Sequence, residues 1–221
     1  MTAPDPRPLP LAPEQAVALE ANGASIATLM CTPRDLDVLA IGNLLTGGII
    51  ASIDDVESVS VAPDNSRIVV RCASGVVPRK PGVPPRPLPR GEAFPMESLR
   101  AWAAEMFARA AIYQQTGGVH CAALADRDGV RCVYEDVGRH NAIDKAIGRG
   151  LVDRLDFSRC CLISSGRIAA EMAAKAIAAG IPVFVSRSIP TTAAYELAAR
   201  QGLAMIGRIG SPSPVVYGHG S

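Results

Sequence analysis

The chain has 221 residues, a formal net charge of +1 and a hydrophobic fraction of 48%, to which Phe, Tyr and Trp contribute only 4, 4 and 1 residues. A chain of this length forms one domain, or one domain with a small appendage. Because aromatic residues are so few, the core must be built from Ala, Val, Leu and Ile. The balanced charge excludes the broad basic surface that nucleic-acid or acidic-membrane binding requires.

The start of the chain shows no basic region followed by an apolar stretch, and no run of 18 apolar residues occurs. These features predict a soluble, cytoplasmic protein that does not bind membranes. The six cysteines lack the Cys-x-x-Cys spacing of structural zinc sites, so we predict no metal site. We expect Cys132, Cys160 and Cys161 to act as small buried hydrophobic residues.

The first part of the chain predicts a small α+β subdomain over residues 14–75, after a Pro-rich and disordered segment at 1–13. Asn22-Gly23 indicates a β-hairpin between two short strands. Thr32 fits the N-cap of the following helix, which Gly47-Gly48 would end. A second pair of strands follows at 56–61 and 67–72.

The remaining sequence predicts a larger domain over residues 96–211. A Pro-rich, basic linker at 76–95 precedes it, and a tail at 212–221 follows. Its first helix is predicted to run without interruption over 96–115. Strands and helices then alternate in the order β-β-α-β-α-β-α-β, which predicts an α/β three-layer sandwich around a mixed sheet.

Three junctions between strands and helices of this domain carry Gly together with polar residues, at 116–121, 135–145 and 164–167. Gly permits close approach of the backbone, and a helix N-terminus favours anions. We predict a nucleotide-sized pocket formed by these residues: Thr116, Gly117, Gly118, His120, Asp136, Arg139, His140, Asn141, Lys145, Ser165, Gly166 and Arg167. The alternative for each junction is ordinary helix capping and turn chemistry.

Two enzyme chemistries are disfavoured at this pocket. Adjacent residues on a strand point to opposite faces, so His120 and Cys121 do not form a nucleophile–base pair with each other. Zinc-dependent deaminases need a His-x-Glu segment and a Pro-Cys-x-x-Cys segment. The sequence continues from His120 with Cys121-Ala122 and contains no Pro-Cys-x-x-Cys.

Five segments resemble the FdhD family, the accessory sulfur-carrier proteins of formate dehydrogenase. They lie at 31–42, 116–120, 135–145, 165–167 and 190–192, and the run Glu-Asp-Val-Gly-Arg-His-Asn-Ala-Ile-Asp-Lys at 135–145 is the most specific. The resemblance implies a cytidine deaminase-like larger domain. It also implies that sulfur comes from a cysteine desulfurase as a persulfide. The acceptor would be the molybdenum bis(guanine dinucleotide) cofactor, before that cofactor enters the catalytic subunit of formate dehydrogenase.

The resemblance further implies that GDP would bind as an analogue of the cofactor. Contacts to the cofactor's second nucleotide would fall at Gly207 and Arg208, although the family's Phe-x-Arg-like segment is altered at this point. The Ala-rich helices would suit a flat interface, and we expect a homodimer.

The sequence departs from the family at the sulfur-carrying loop. The family has a Cys-Gly-x-Cys-Gly loop between its two parts, whereas this chain reads Arg-Cys-Ala-Ser-Gly at 71–75. A persulfide carrier needs an exposed thiolate with a low pKa. Cys72 fits this role best, and Cys121 is the second candidate. Two hypotheses follow: a sulfur carrier that uses one of these thiols, or a non-catalytic cofactor chaperone that has lost the persulfide relay.

Overall fold

The computed structural model describes residues 10–73, 88 and 93–218, and they form a mixed α/β structure with two sheets. Most of the predicted linker and most of the predicted disordered N-terminal segment lie outside the described residues. The smaller sheet has the strand order β2-β1-β4-β3. Its strands are β1 Gln15–Ala21, β2 Ala24–Cys31, β3 Val56–Val61 and β4 Arg67–Cys72. The predicted hairpin is confirmed, since Asn22 and Gly23 both have positive φ, of 47° and 80°.

The larger sheet has the strand order β10-β9-β8-β7-β5-β6. Its strands are β5 His120–Asp126, β6 Gly129–Asp136, β7 Cys161–Ser164, β8 Val183–Ser186, β9 Ala204–Gly207 and β10 Val215–Tyr217. Strands β7, β8 and β9 are parallel, and β5 runs antiparallel to both β6 and β7. Strand β10 lies inside the segment that the sequence predicted as a C-terminal tail.

Helices cover both faces of the larger sheet. The α-helices of the described part of the chain, taken together for both sheets, are α1 Leu36–Thr46, α2 Met96–Arg109, α3 Ala111–Thr116, α4 Arg139–Val152, α5 Ala170–Ala179 and α6 Thr192–Gln201. Residues alternate along β5, so that Leu124 packs with α4 and α5 while Ala123 packs with α2. None of the helices in the described part of the chain is both long and apolar enough to cross a membrane.

The prediction of one uninterrupted helix over 96–115 is wrong. The helix ends at Arg109, because Ala110 has φ −84° and ψ 82°, outside the helical region. A new helix, α3, starts immediately. Its first amides, at Ile112 and Tyr113, donate to the carboxylate of Glu135 on β6 over 3.0 and 2.6 Å. This long-range cap replaces the hydrogen bonds lost at the break, and the helical periodicity of the segment contained no sign of it.

The prediction of Thr32 as an N-cap is also wrong. Asp35 occupies the N-cap position of α1 with φ 54°, and its side chain makes no capping hydrogen bond. Thr32 is completely buried, and its hydroxyl oxygen accepts from the amide of Val137 over 3.1 Å. Thr32 therefore joins the two sheets rather than starting a helix.

Helices α1 and α4 cross with their backbones in contact at Gly42 and Gly148. A Cβ on Gly42 would overlap the carbonyl oxygen of Asp144, and a Cβ on Gly148 would overlap that of Val38. Because α1 packs on the smaller sheet and α4 on the larger one, this crossing makes a single continuous core that includes residues of both sheets.

We expect Gly148→Ala to destabilise the protein by about 1–3 kcal/mol, the usual cost of overpacking. Ala has a higher helix propensity than Gly, so any loss of stability must come from the contact between α1 and α4. Urea denaturation followed by circular dichroism measures the change. Gly210→Ala is the control, because a Cβ there meets nothing within 4 Å. Equal unfolding midpoints for the two variants would contradict the role of the close crossing.

Candidate functional site

One edge of the larger sheet gathers the polar junctions that the sequence singled out. Strands β7, β8 and β9 are parallel and end at this edge. Strand β5 starts there, since Ala122 pairs with Ser164 in antiparallel register, and β6 ends there, since His120 pairs with Asp136. In open α/β sheets, ligands bind at the carboxyl ends of parallel strands.

Four residues meet at this edge: His120, Arg139, Ser165 and Gly166, which we call the edge cluster. Nδ1 of His120 lies 3.3 Å from the hydroxyl oxygen of Ser165, and that oxygen accepts from the amide of Cys121 over 3.0 Å. Gly166 leaves room for its neighbours, because a Cβ on it would lie 3.2 Å from Cδ of Arg139 and 3.5 Å from Nδ1 of His120. The structure therefore places residues from three separate predicted junctions next to one another.

The edge cluster contains an unsatisfied donor. Nε of Arg139 is buried and has no hydrogen-bond partner among the residues that the structure describes, although buried polar atoms are nearly always paired. Burial, followed by the charge of Arg139, lowers the pKa of His120 below its usual 6.5. The imidazole is therefore neutral at pH 7 and can accept the hydroxyl hydrogen of Ser165. The cluster offers a guanidinium and neutral hydrogen-bonding groups, which together suit an anionic oxygen ligand.

Further arginines follow the ends of the three parallel strands. Arg167 comes after β7, Arg187 after β8 and Arg208 after β9, and all three are exposed. Sequence analysis missed Arg187, although its place directly after a buried strand matches that of Arg208. Its guanidinium donates to the hydroxyl of Tyr113 over 2.8 Å and lies 5.4 Å from the centre of the Phe107 ring.

Other predicted site residues have local structural contacts. The hydroxyl of Thr116 donates to Ile112 and accepts from the amide of Gly118, while Gly117 ends α3 with φ 63°. These contacts correspond to the capping alternative. His140 points towards α5, where its Nε2 lies 2.6 Å from the carboxylate of Glu171.

Three of the predicted site residues in the run 135–145 lie in the interior instead of facing the open edge. Nζ of Lys145 lies 2.8 Å from Oδ2 of Asp136, and both side chains are completely buried. Lys145 also donates to the backbone carbonyls of Thr32 and Glu135 over 3.1 Å. The side-chain amide of Asn141 donates to the carboxylate of Asp136 and to the backbone carbonyl of Met30. Their part in binding a cofactor stays a prediction.

The backbone at Gly207, next to Arg208, is closely surrounded by neighbouring atoms. A Cβ on Gly207 would lie 2.9 Å from the carbonyl oxygen of Ser188 and 3.0 Å from Cε2 of Tyr217. The amide of Arg208 donates to the same carbonyl over 2.8 Å, with Arg208 at φ 56°. The backbone therefore holds Arg208 at the end of β9, next to β10.

All six cysteines of the chain are buried, and none of them forms a disulfide. Burial raises the pKa of Cys121 to about 11, and it also raises the pKa of Cys72, which Asp55 and Glu57 raise further. The Cys121 side chain packs under α2, on the face opposite the α4 side of the sheet. No thiol has the exposure or the low pKa of a reactive thiolate.

The profile of the FdhD/NarQ family matches the chain at residues 12–83 and 71–221. The chain belongs to the FdhD/NarQ family. Proteins named "Sulfur carrier protein FdhD" are among its relatives. The one from Wolinella succinogenes is 32% identical, with 93% of this chain and 79% of the relative covered. The one from Streptomyces avermitilis is 34% identical, with 96% and 88% covered.

One solved structure agrees with the fold. It is described as a putative formate dehydrogenase accessory protein from Desulfotalea psychrophila. The two structures align with a TM-score of 0.82 and 27% sequence identity, covering 93% of this chain and 87% of the other. The family resemblance seen in the sequence is confirmed, and so is the mixed α/β fold class.

We expect Lys145→Met to destabilise this FdhD/NarQ member by about 3–5 kcal/mol, because it leaves the buried carboxylate of Asp136 without its charge partner. The double variant Asp136→Asn/Lys145→Met should recover part of that loss, since no unpaired charge remains. Urea denaturation of the four proteins in the cycle measures both effects. A double variant that loses the full sum of the single losses would contradict the pairing.

Proposed function

We propose that this chain serves in formate dehydrogenase maturation, in the cytoplasm, and holds the molybdenum bis(guanine dinucleotide) cofactor as its cargo. The single observation that carries the proposal is the unpartnered, buried Nε of Arg139 at the edge cluster. A phosphate oxygen is the acceptor that a guanidinium binds best. The description of the Desulfotalea psychrophila protein supports the link to formate dehydrogenase.

The proposal assigns the diphosphate groups of the cargo to the arginines of the sheet edge. Arg139 and the hydroxyl of Ser165 would bind one diphosphate, with Gly166 allowing its close approach. Arg167, Arg187 and Arg208 lie at successive strand ends, and neighbouring strands are about 4.8 Å apart. Such a row suits an elongated dinucleotide better than a single phosphate. We also propose that the larger sheet with its helices is the cytidine deaminase-like unit, and that the protein acts as a homodimer.

Sulfur handling divides the proposal into two candidates. The names of the relatives support a sulfur carrier, which would receive a persulfide from a cysteine desulfurase and pass the sulfur to the cofactor. Cys72 is the best carrier candidate, since it ends β4 at the boundary of the predicted Pro-rich linker. The burial of all six thiols favours the second candidate, a chaperone that holds the cofactor without a persulfide relay.

Calorimetric titration with GDP tests the binding part. We expect Arg139→Ala to weaken GDP binding by about tenfold or more, because a hydrogen bond to a charged group contributes about 1.5–3 kcal/mol. Arg139→Lys should restore little of the GDP affinity, since Lys lacks the planar guanidinium that donates two parallel hydrogen bonds to one anion. Arg149→Ala is the control on the same helix, where the guanidinium pairs with the exposed carboxylate of Asp153. Equal affinities for the Arg139 and Arg149 variants would overturn the assignment.

The rate at which the thiols react measures how much thiolate the folded protein offers to either sulfur candidate. Because burial raises the thiol pKa values, with Cys31 and Cys132 also near 11, little thiolate exists at pH 8. We expect slow reaction of the folded protein with a disulfide reagent and a rate that keeps rising up to about pH 11. All six thiols should react at once in denaturant.

Incubation with a cysteine desulfurase, cysteine and a persulfide-specific probe completes the test. Labelling that disappears in Cys72→Ser identifies the sulfur carrier. A protein that binds GDP but carries no labelled cysteine is the chaperone.

A further inference from the structure

The side chain of Asn22 reaches from the turn between β1 and β2 to the last residue of β4, Cys72. Its Oδ1 accepts from the backbone amide of Cys72 over 2.8 Å, and its Nδ2 donates to the backbone carbonyl of Cys72 over 3.2 Å. A carboxamide carries a donor and an acceptor in one plane, as a peptide group does. Asn22 therefore binds both backbone polar groups of a residue that lies 50 positions away in the sequence.

This contact prolongs the pairing of β1 with β4 beyond the end of β1. The parallel pairing of the two strands ends at Ala21 and Val70, and the backbone amide of Asn22 then donates to the carbonyl of Val70 over 3.0 Å. In a strand, the N–H and C=O groups of one residue point to the same side. The chain turns into β2 at this point, so the side chain of Asn22 takes the place of a strand and supplies both ladder bonds of Cys72.

The other contacts at the end of β4 are weaker or lie on the opposite side. Towards β3, Cys72 pairs with Val56, where the register of the two strands shifts. Beyond Cys72, the amide of Ala73 donates to the carbonyl of Asp55 over 2.9 Å. The thiol lies in the shared core, and Cys72 is only 5% exposed. Loss of the two Asn22 bonds would therefore free one side of the strand end on which this buried thiol sits.

Asn22 is exposed at the tip of the hairpin, although the thiol of its partner Cys72 is buried. Hydrogen bonds at exposed positions open locally at a much lower free-energy cost than the core does. The crossing of α1 and α4 at Gly42 and Gly148 involves neither residue. The Asn22 bonds can therefore open, and the end of β4 can move, while the two sheets stay joined.

We infer that Asn22 is a clamp that withholds the thiol of Cys72, and that opening of this clamp is the local step that exposes the thiol. The inference rests on the sulfur-carrier candidate of the proposed function. The exposed Cys72 thiolate would attack the outer sulfur of a persulfide on the donor protein. A new S–S bond forms at Cys72, the S–S bond of the donor breaks, and the donor cysteine leaves as a thiolate. Asn22 acts only through the backbone of Cys72 and is a positioning residue.

Asn22→Gly tests the clamp, because Gly keeps the left-handed turn conformation and removes the carboxamide. Treatment of the folded protein with a thiol-alkylating reagent, followed by mass spectrometry of its peptides, gives the rate at which each cysteine reacts. We expect Cys72 to react about tenfold faster or more in Asn22→Gly, since two hydrogen bonds that hold its backbone are lost. Cys31, the last residue of β2 in the same sheet, should keep its rate.

Asn65→Gly is the matched control. Asn65 also has a positive φ, of 57°, in the turn between β3 and β4. Its side chain makes no hydrogen bond to any residue within 10–73, 88 and 93–218. The variant thus removes the same carboxamide from a turn of the same sheet, and the rate at Cys72 should not change. Low concentrations of urea should alter the rate in Asn22→Gly only weakly, because local opening exposes little surface.

The outcomes keep the inference apart from the proposed function. If all six cysteines gain the same factor in Asn22→Gly, the variant only lowers the free energy of global unfolding, and the clamp is wrong. An unchanged rate at Cys72, or an equal gain in Asn65→Gly, also overturns the clamp. Incubation of Asn22→Gly with a cysteine desulfurase and cysteine tests the proposed function. If Cys72 reacts faster with the reagent yet takes up no persulfide, the clamp stands and sulfur transfer through Cys72 is wrong.

Discussion

The buried ion pair between Lys145 and Asp136 is the interaction on which the arrangement of the edge cluster depends. Two charges without solvent exposure are tolerated only when their remaining hydrogen-bonding capacity is filled. Asp136 accepts from the amides of Thr32 and Gly138 and from the side chain of Asn141, and Lys145 donates to two backbone carbonyls. These bonds fix the turn from β6 into α4. Because Arg139 is the first residue of α4, the same bonds hold its guanidinium at the edge of the sheet.

A second buried carboxylate extends this network to α1. Asp144 accepts from Asn43 and Thr46 of α1 and from Lys175 of α5. It lies beside the point where α1 and α4 touch through glycines, so polar bonds and close backbone packing act on the same crossing. The run 135–145 therefore combines two roles. Arg139 belongs to the edge cluster, while most other polar residues of the run hold the two sheets together.

Local patterns predicted those features that depend on local chemistry. The Asn22-Gly23 hairpin and the alternation of strands and helices follow from turn residues and periodicity. Features that depend on distant partners were missed. Glu135 caps α3 from another strand, and Thr32 bonds across to β6. From the sequence alone, a charged residue such as Lys145 is interpreted as solvent-exposed or ligand-binding. Only the tertiary structure provides the carboxylate of Asp136, which permits the burial of this lysine. For the same reason, His120, Arg139, Ser165 and Gly166 could be grouped from their junctions, whereas the contacts of Arg187 with Tyr113 and Phe107 could not be foreseen.

The strand geometry also bears on sulfur chemistry at this edge. His120 and Cys121 are neighbours, and the alternation of β5 puts the imidazole in the edge cluster while the thiol packs under α2. A thiol that passes sulfur to a ligand must reach it from the open side, so Cys121 would first have to leave the core. Cys72 lies in the other sheet, among residues of the shared core. Few aromatic residues are available to fill that core, and cysteines supply part of its volume as small apolar side chains. The property that makes these cysteines good packing residues, namely their exclusion from water, is the one that raises their pKa and suppresses the thiolate a persulfide carrier needs.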